Sequence, residues 1–171
     1  MEREIRVWIR WMIPRDMTEV IDIESASFEF PWWQEDFICT LRQRNCIGMV
    51  AEYDGRVVGF MIYELGRTRV HILNLAVNPI YRHNGVGSQM LAKLTTRLLS
   101  QQRQKIILEV RETNLPAQLF FYENGFRAVS VIRNYYADTP EDAYLMQYSH
   151  KPKKTIYNGQ IWTNRITQFT Y

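Results

Sequence analysis

The run Arg82-His83-Asn84-Gly85-Val86-Gly87-Ser88 sets two glycines between a strand-like stretch at 70–77 and a helix-like stretch at 86–99. A loop that opens a helix carries backbone N–H groups without intrahelical partners, and the helix dipole adds positive potential there. Gly85 and Gly87 have no Cβ, so a ligand can come close to that backbone. The chemistry this favours is the binding of an anion, a phosphate or pyrophosphate above all. Taken alone, the glycine pair is equally a turn. The third glycine of a dinucleotide fingerprint is absent, and so is a Walker lysine. His71, His83 and His150 are scattered and Cys39 and Cys46 are the only two cysteines, so no metal-ligand spacing emerges and no metal is expected.

The elements that must hold the loop follow from periodicity. Ile5, Val7, Ile9, Trp11 and Ile13 alternate with Arg6, Trp8, Arg10 and Met12, the period of a half-buried strand. A helix begins at Pro14–Asp16, with Met17, Val20, Ile21 and Ile23 on its inner side. The aromatic loop Phe28-Glu29-Phe30-Pro31-Trp32-Trp33 leads to a short helix at 34–42. Strands at 47–53 and 57–65 join at Asp54-Gly55, a hairpin signal. The strand at 70–77 ends at Asn78-Pro79, since proline cannot donate to a ladder. The helix after the glycine loop carries Val86, Met90, Leu91, Leu94 and Leu98 on one stripe. A strand at 105–110, a helix capped by Asn114 and stopped by Asn124-Gly125, and strands at 126–133 and 143–148 complete the series.

Composition narrows the function classes. The 171 residues suit one domain with a sizeable core. A net charge of +3 with scattered Lys and Arg argues against nucleic acid, and Lys151, Lys153 and Lys154 read as a solvated linker. Cys39 and Cys46 read as reduced thiols of a cytoplasmic protein. Arg3, Arg6 and Arg10 break the apolar run a signal peptide needs, and no stretch reaches the ~20 residues of a membrane span. A domain over 1–149 and a C-terminal extension over 150–171, with one extra strand in it, are expected.

The run from Asn74 to Gly87 resembles the acetyl-CoA signature of the GNAT family of N-acetyltransferases, whose Arg/Gln-x-x-Gly-x-Gly/Ala loop is matched by Arg82, Gly85 and Gly87. Four further runs are similar to a branch that acetylates protein N-termini, the bacterial ribosomal-protein alanine N-acetyltransferases in particular. They are Leu108-Glu-Val-Arg-Glu-Thr-Asn114, Phe30-Pro31-Trp32, Arg133-Asn134-Tyr135-Tyr136, and Glu141-Asp142-Ala143 with Met146. The resemblance covers residues 1–149. It implies an α/β (mixed, α+β) fold, a central, mostly antiparallel seven-stranded sheet flanked by helices.

The resemblance also implies roles. Acetyl-CoA would be held by Arg82, His83, Asn84, Gly85, Val86, Gly87 and Ser88 at its pyrophosphate, by the backbone of Leu75, Ala76 and Val77 along its pantetheine arm, and by Asn114 and Phe121. Glu109 would be the base that takes the proton from the acceptor amine, against the plain alternative of a surface glutamate on a strand; Glu112 reads as solvated. Phe30, Trp32, Tyr135 and Tyr136 would close a slot around the acceptor's first residues. The family's usual tyrosine acid is displaced, because counting from Asn114 puts Phe121 at that position and Tyr122 next. Either Tyr122 serves as the catalytic acid after a local shift, or the thiolate leaves without one. The implied activity is acetyl transfer to a protein N-terminal α-amine by a monomer or weak homodimer, with no membrane or nucleic-acid partner. A small-molecule amine acetyltransferase and a non-catalytic acyl-CoA-binding regulatory domain are the alternatives.

Overall fold

A computed structural model describes residues 4–100, 103–150, 155–157 and 160–162. Seven strands form one sheet in the order β1-β2-β3-β4-β5-β7-β6: β1 Trp8–Trp11, β2 Cys46–Tyr53, β3 Arg56–Leu65, β4 Arg69–Val77, β5 Lys105–Arg111, β6 Arg127–Ile132 and β7 Ala143–Ser149. Every pairing is antiparallel except that of β4 with β5. The helices are α1 Met17–Ser27, α2 Gln34–Leu41, α3 Val86–Ser100 and α4 Leu115–Glu123. This is the mixed fold expected.

The sheet buries both faces. Met90, Leu91, Leu94 and Leu98 of α3, with Phe121 of α4, pack on Met61, Ile72, Ile106, Leu108 and Val110. Val20 and Ile23 of α1, with Phe37 of α2, pack on Val50, Phe60, Ile62 and Ala76 of the opposite face. No described helix is long and apolar enough to cross a membrane.

Two details of β4 shape the site. It pairs with β5 only at Arg69–Lys105, Val70–Ile106 and His71–Ile107, then runs on to Val77 while β5 runs on to Arg111. The sheet therefore forks after His71. β4 also carries a bulge: Ile62 faces Asn74 and Tyr63 faces Ile72, so Leu73 is the extra residue. Leu73 thus packs with the α1–α2 side, and Asn74 points the same way toward α1, where strict alternation would have sent it to the α3 side.

The strand expected over 5–13 is shorter. Residues 5–7 are held by a side chain instead of a strand: Gln89 Oε1 accepts the Val7 N–H at 3.2 Å and Gln89 Nε2 donates to the Ile5 carbonyl at 2.7 Å. Ile5 N–H also bonds the Asn84 carbonyl at 3.1 Å, so this segment is stitched to the glycine loop. In the 150–171 extension, β8 Thr155–Tyr157 and β9 Gln160–Trp162 pair with each other, a short hairpin in place of the one strand expected. Apart from His150, the remainder of that extension, Lys151, Lys153 and Lys154 included, lies outside the described residues.

Candidate active site

The glycine loop enters α3 through two left-handed residues, His83 (φ 61°) and Gly85 (φ 79°). A Cβ on Gly87 would stand 2.8 Å from Cζ of Phe120, so that glycine lets α4 close against the loop. Arg82 braces the loop from outside: its Nε donates to the Val77 carbonyl at 3.0 Å and its Nη2 to Ser27 Oγ at 2.9 Å. Asn84 Nδ2 donates to the Arg82 carbonyl at 2.8 Å. Val86 is core, and Ser88 lies in the first turn of α3. Residues 82–88, expected to form an anion-binding loop, form the turn that opens α3.

The loop ends where the fork opens. Asn78 N–H bonds the Val58 carbonyl of β3 at 2.9 Å. Alternation along the strand then turns Ala76 toward β3, and the backbone groups of Leu75 and Val77 toward the gap. The Val77 carbonyl takes Arg82, which leaves the Val77 N–H directed at the gap. The side chains of Leu75 and Val77 pack against the α3-side core and that of Ala76 against the α1 side.

At the crotch of the fork, His71 and Glu109 point to the same face. His71 alternates with the core residues Val70 and Ile72, and Glu109 with Leu108 and Val110, so both project toward α1 and α2. His71 Nε2 lies 2.6 Å from Glu109 Oε2, with both side chains mostly buried. The sequence named Glu109 and missed His71. Its partner lies 38 residues away, and only the parallel register of β4 and β5 brings the two together.

Two loops rim this face. The Arg111 guanidinium lies 3.7 Å from the Tyr136 ring centroid and 5.4 Å from that of Phe30. It also donates to Asp138 at 2.7 Å and to Thr139 Oγ1 at 2.8 Å. Arg111 thereby ties the α1–α2 loop to the β6–β7 loop. Tyr135 and Tyr136 meet edge to face at 5.0 Å. Burial pushes the Tyr136 phenol up to about 12, and burial with the nearby Glu109 charge raises that of Tyr135, so both remain neutral donors. Trp32, partly buried, packs its ring on Phe37 at 5.4 Å, against the α1–α2 core. Glu112, expected to be merely solvated, accepts the Asp142 N–H at 3.2 Å and helps hold the β6–β7 loop.

On α4, Asn114 caps the helix, its Oδ1 accepting the Ala117 N–H at 3.1 Å. The other end is locked by Phe126 N–H on the Phe121 carbonyl at 3.0 Å and Gly125 N–H on the Tyr122 carbonyl at 3.1 Å, a Schellman closure. Phe121 is consequently core, 7% exposed, with its ring 5.4 Å from Phe126. Tyr122, a turn of about 100° further round, is 54% exposed and lies under the Arg127 guanidinium at 4.1 Å. The Tyr122 ring therefore faces Arg127, and the Tyr122 carbonyl also accepts Arg127 Nη1 at 3.1 Å. Phe120, which the sequence did not single out, is the α4 residue that meets the glycine loop.

Fold and site define a class: a forked sheet with a glycine turn opening a helix at one branch and a His–Glu pair in the crotch, an arrangement that suits acyl transfer from a long phosphorylated carrier. The profile of the acetyltransferase (GNAT) family matches residues 17–126, and the chain belongs to that family. An N-alpha-acetyltransferase of Sulfurisphaera tokodaii is 32% identical over 144 residues, covering 77% of this chain and 86% of that protein. The ribosomal protein bS18-alanine N-acetyltransferase of Escherichia coli is 29% identical over 133 residues, covering 77% and 89%. The crystal structure of Ard1 from Thermoplasma volcanium aligns at TM-score 0.77 and 30% identity over 85% of this chain and 98% of that one. Among the described residues, no group of three or more His, Cys, Asp or Glu is placed to hold a metal.

Proposed function

We propose that this protein transfers the acetyl group of acetyl-CoA to the N-terminal α-amine of a protein, with an N-terminal alanine of a ribosomal protein as the first acceptor to test. The observation that carries the reading is the His71–Glu109 pair at 2.6 Å, set where the strands part and faced by the Phe30 and Tyr135–Tyr136 loops. The names of the Sulfurisphaera and Escherichia relatives support the same acceptor class. The free cysteines Cys39 and Cys46 suit a reducing compartment, and we place the protein in the cytoplasm.

The residues fit acetyl-CoA. Gly85 at φ 79° supplies a left-handed turn that leads backbone N–H groups into the start of α3, and Gly87 keeps the loop free of a side chain where Phe120 closes on it. Residues 82–88 would hold its pyrophosphate, and the gap-facing backbone of Leu75 and Val77 its pantetheine arm. When bound, acetyl-CoA supplies the activated acyl group. The Val77 N–H then offers a fixed dipole to the carbonyl oxygen as charge develops there. Glu109 accepts the ammonium proton of the acceptor, directly or through a water. His71 donates its ring N–H to Glu109 and fixes which oxygen faces the amine. The α-amine, with an ordinary pKa of about 7.7–8.0, loses its proton far more readily than a lysine at about 10.4.

The test is a library of peptides offered with acetyl-CoA and read by mass spectrometry. Free N-termini are expected to be acetylated faster than internal lysines in matched sequences. Faster lysine acetylation would overturn the acceptor class.

The thiolate departs, in this reading, without help from Tyr122. Tyr122→Phe is expected to keep both kcat and acetyl-CoA affinity, since the ring still packs under Arg127. A fall of about 10²-fold or more in kcat, the usual size of a lost general acid, would return Tyr122 to the mechanism.

A further inference from the structure

Glu24 of α1 is a carboxylate in the core, 1% exposed, and faces no cation within hydrogen-bond reach among its described partners. Its Oε1 accepts the Trp32 backbone N–H at 2.8 Å, and its Oε2 accepts Asn74 Nδ2 at 3.0 Å. Trp32 belongs to the α1–α2 loop that carries Phe30. Asn74 belongs to β4, and it points at α1 because Leu73 is bulged out beside it. Asn74 is itself 8% exposed. Burial pushes the Glu24 carboxyl up, and the two hydrogen bonds oppose that push.

A buried carboxylate is costly unless its partners satisfy it. The apolar packing of α1 on the sheet is already supplied by Val20 and Ile23. What the carboxylate adds is a fixed distance between two separate pieces of backbone. One piece is the loop at the acceptor side of the fork. The other is the β4 segment whose next residues, Leu75 to Val77, line the gap. Bulges next to active sites commonly re-aim a side chain in this way.

We propose that Glu24 is a positioning residue, a latch that joins the acceptor loop at Trp32 to strand β4 at Asn74 and so sets how an incoming peptide amine meets the fork. The proposal rests on the N-terminal acetyltransferase reading for its consequence, but the latch itself is a property of the chain. Small errors of placement matter here, because a displacement of about 1 Å at the reacting atoms can cost about 10²-fold in rate.

The experiment uses the full chain with acetyl-CoA present and has two readouts. Hydrogen–deuterium exchange follows residues 28–33, and steady-state kinetics follows an N-terminal peptide. Glu24→Met keeps the volume and removes both acceptors. It is expected to speed exchange at 28–33 by about tenfold or more, the scale of losing a hydrogen bond to a charged group. Its peptide kcat/KM is expected to fall by a similar factor while the KM for acetyl-CoA holds. Glu24→Gln is the conservative rescue: its Oε1 can accept the Trp32 N–H, and its Nε2 can bond Asn74 once that amide turns over. It is expected to behave as wild type in both readouts. Asn74→Leu cuts only the strand side of the latch, is expected to move both readouts in the same direction as Glu24→Met, and carries the test should Glu24→Met fail to fold.

Wild-type exchange at 28–33 in a folded Glu24→Met or Asn74→Leu overturns the latch, as does a Glu24→Gln as impaired as Glu24→Met. A matched rise in the KM for acetyl-CoA overturns the positioning role by showing a general loss of structure. A wild-type protein that acetylates no N-terminal peptide sinks the acetyltransferase reading alone, and the exchange data still decide the latch.

Discussion

Glu109→Gln is expected to lower kcat by about 10²–10⁴-fold, the range for a lost general base, with acetyl-CoA affinity unchanged. The substitution is close to silent for the fold. The carbonyl oxygen of the new amide can still accept the His71 N–H that now meets Glu109 at 2.6 Å, and the backbone pairing of Glu109 with Leu145 does not involve the side chain. Glu109 makes none of the hydrogen bonds that hold the glycine loop, so the coenzyme affinity is expected to hold. The pH dependence separates two roles. If Glu109 only removes the ammonium proton, the deficit shrinks as pH rises through the amine's own pKa near about 8, because solvent then does the same work. If it also orients the neutral amine, a constant deficit persists above that pH. A folded Glu109→Gln with wild-type kcat across roughly pH 6–9 would remove Glu109 from the chemistry.

Much of this site could be read from residues in sequence. The glycine loop, the Asn114 cap, the α3 stripe and the Asp54-Gly55 hairpin are local features, and local rules located them. What escaped was set by long-range register. His71 became a partner of Glu109 only because β4 and β5 run parallel and stop pairing one residue later. Nothing in the run Val70-His71-Ile72 signals that neighbour. Leu73 looks like any apolar strand residue, yet its bulge decides that Asn74 reaches Glu24. Adjacent aromatics were equally ambiguous. The orientations of Phe121 and Tyr122 follow from the Schellman closure at Gly125, which fixes Phe121 inward and leaves Tyr122 with Arg127. Trp32 packs against the α1–α2 core while Trp33 stays 73% exposed, and the Trp32 amide is held by Glu24. The strand at the N-terminus was overextended for a related reason: the alternation over 5–7 is real, but the side chain of Gln89 takes the place of a neighbouring strand.

Gly85→Glu is expected to weaken acetyl-CoA binding by on the order of 10²-fold or more, two effects adding. The first is conformational. Gly85 sits at φ 79°, where a residue with a Cβ is strained by about 1–2 kcal/mol, and about 1.4 kcal/mol is a factor of ten in affinity when the strain falls on the binding-competent loop. The second is electrostatic. A Cβ at this position would stand 2.9 Å from Glu4 Cγ and 3.1 Å from Glu4 Oε1, so the new carboxylate would join an existing one beside the loop proposed to hold the pyrophosphate. Gly85→Asn separates the two effects, since asparagine tolerates the left-handed region better than most residues and adds no charge. It should lose affinity by a smaller factor, and Glu4→Gln in the Gly85→Glu background should recover part of the loss. The KM for the acceptor peptide should hold throughout, because the nearest atoms a Cβ at Gly85 would meet are those of Glu4, and not those of Phe30, Tyr135 or Tyr136. Isothermal calorimetry on folded protein decides the matter. Unchanged acetyl-CoA affinity in Gly85→Glu would mean that the pyrophosphate is held elsewhere, and the left-handed turn at residues 83–85 would then serve only to stitch the N-terminal segment to α3 through Asn84 and Gln89.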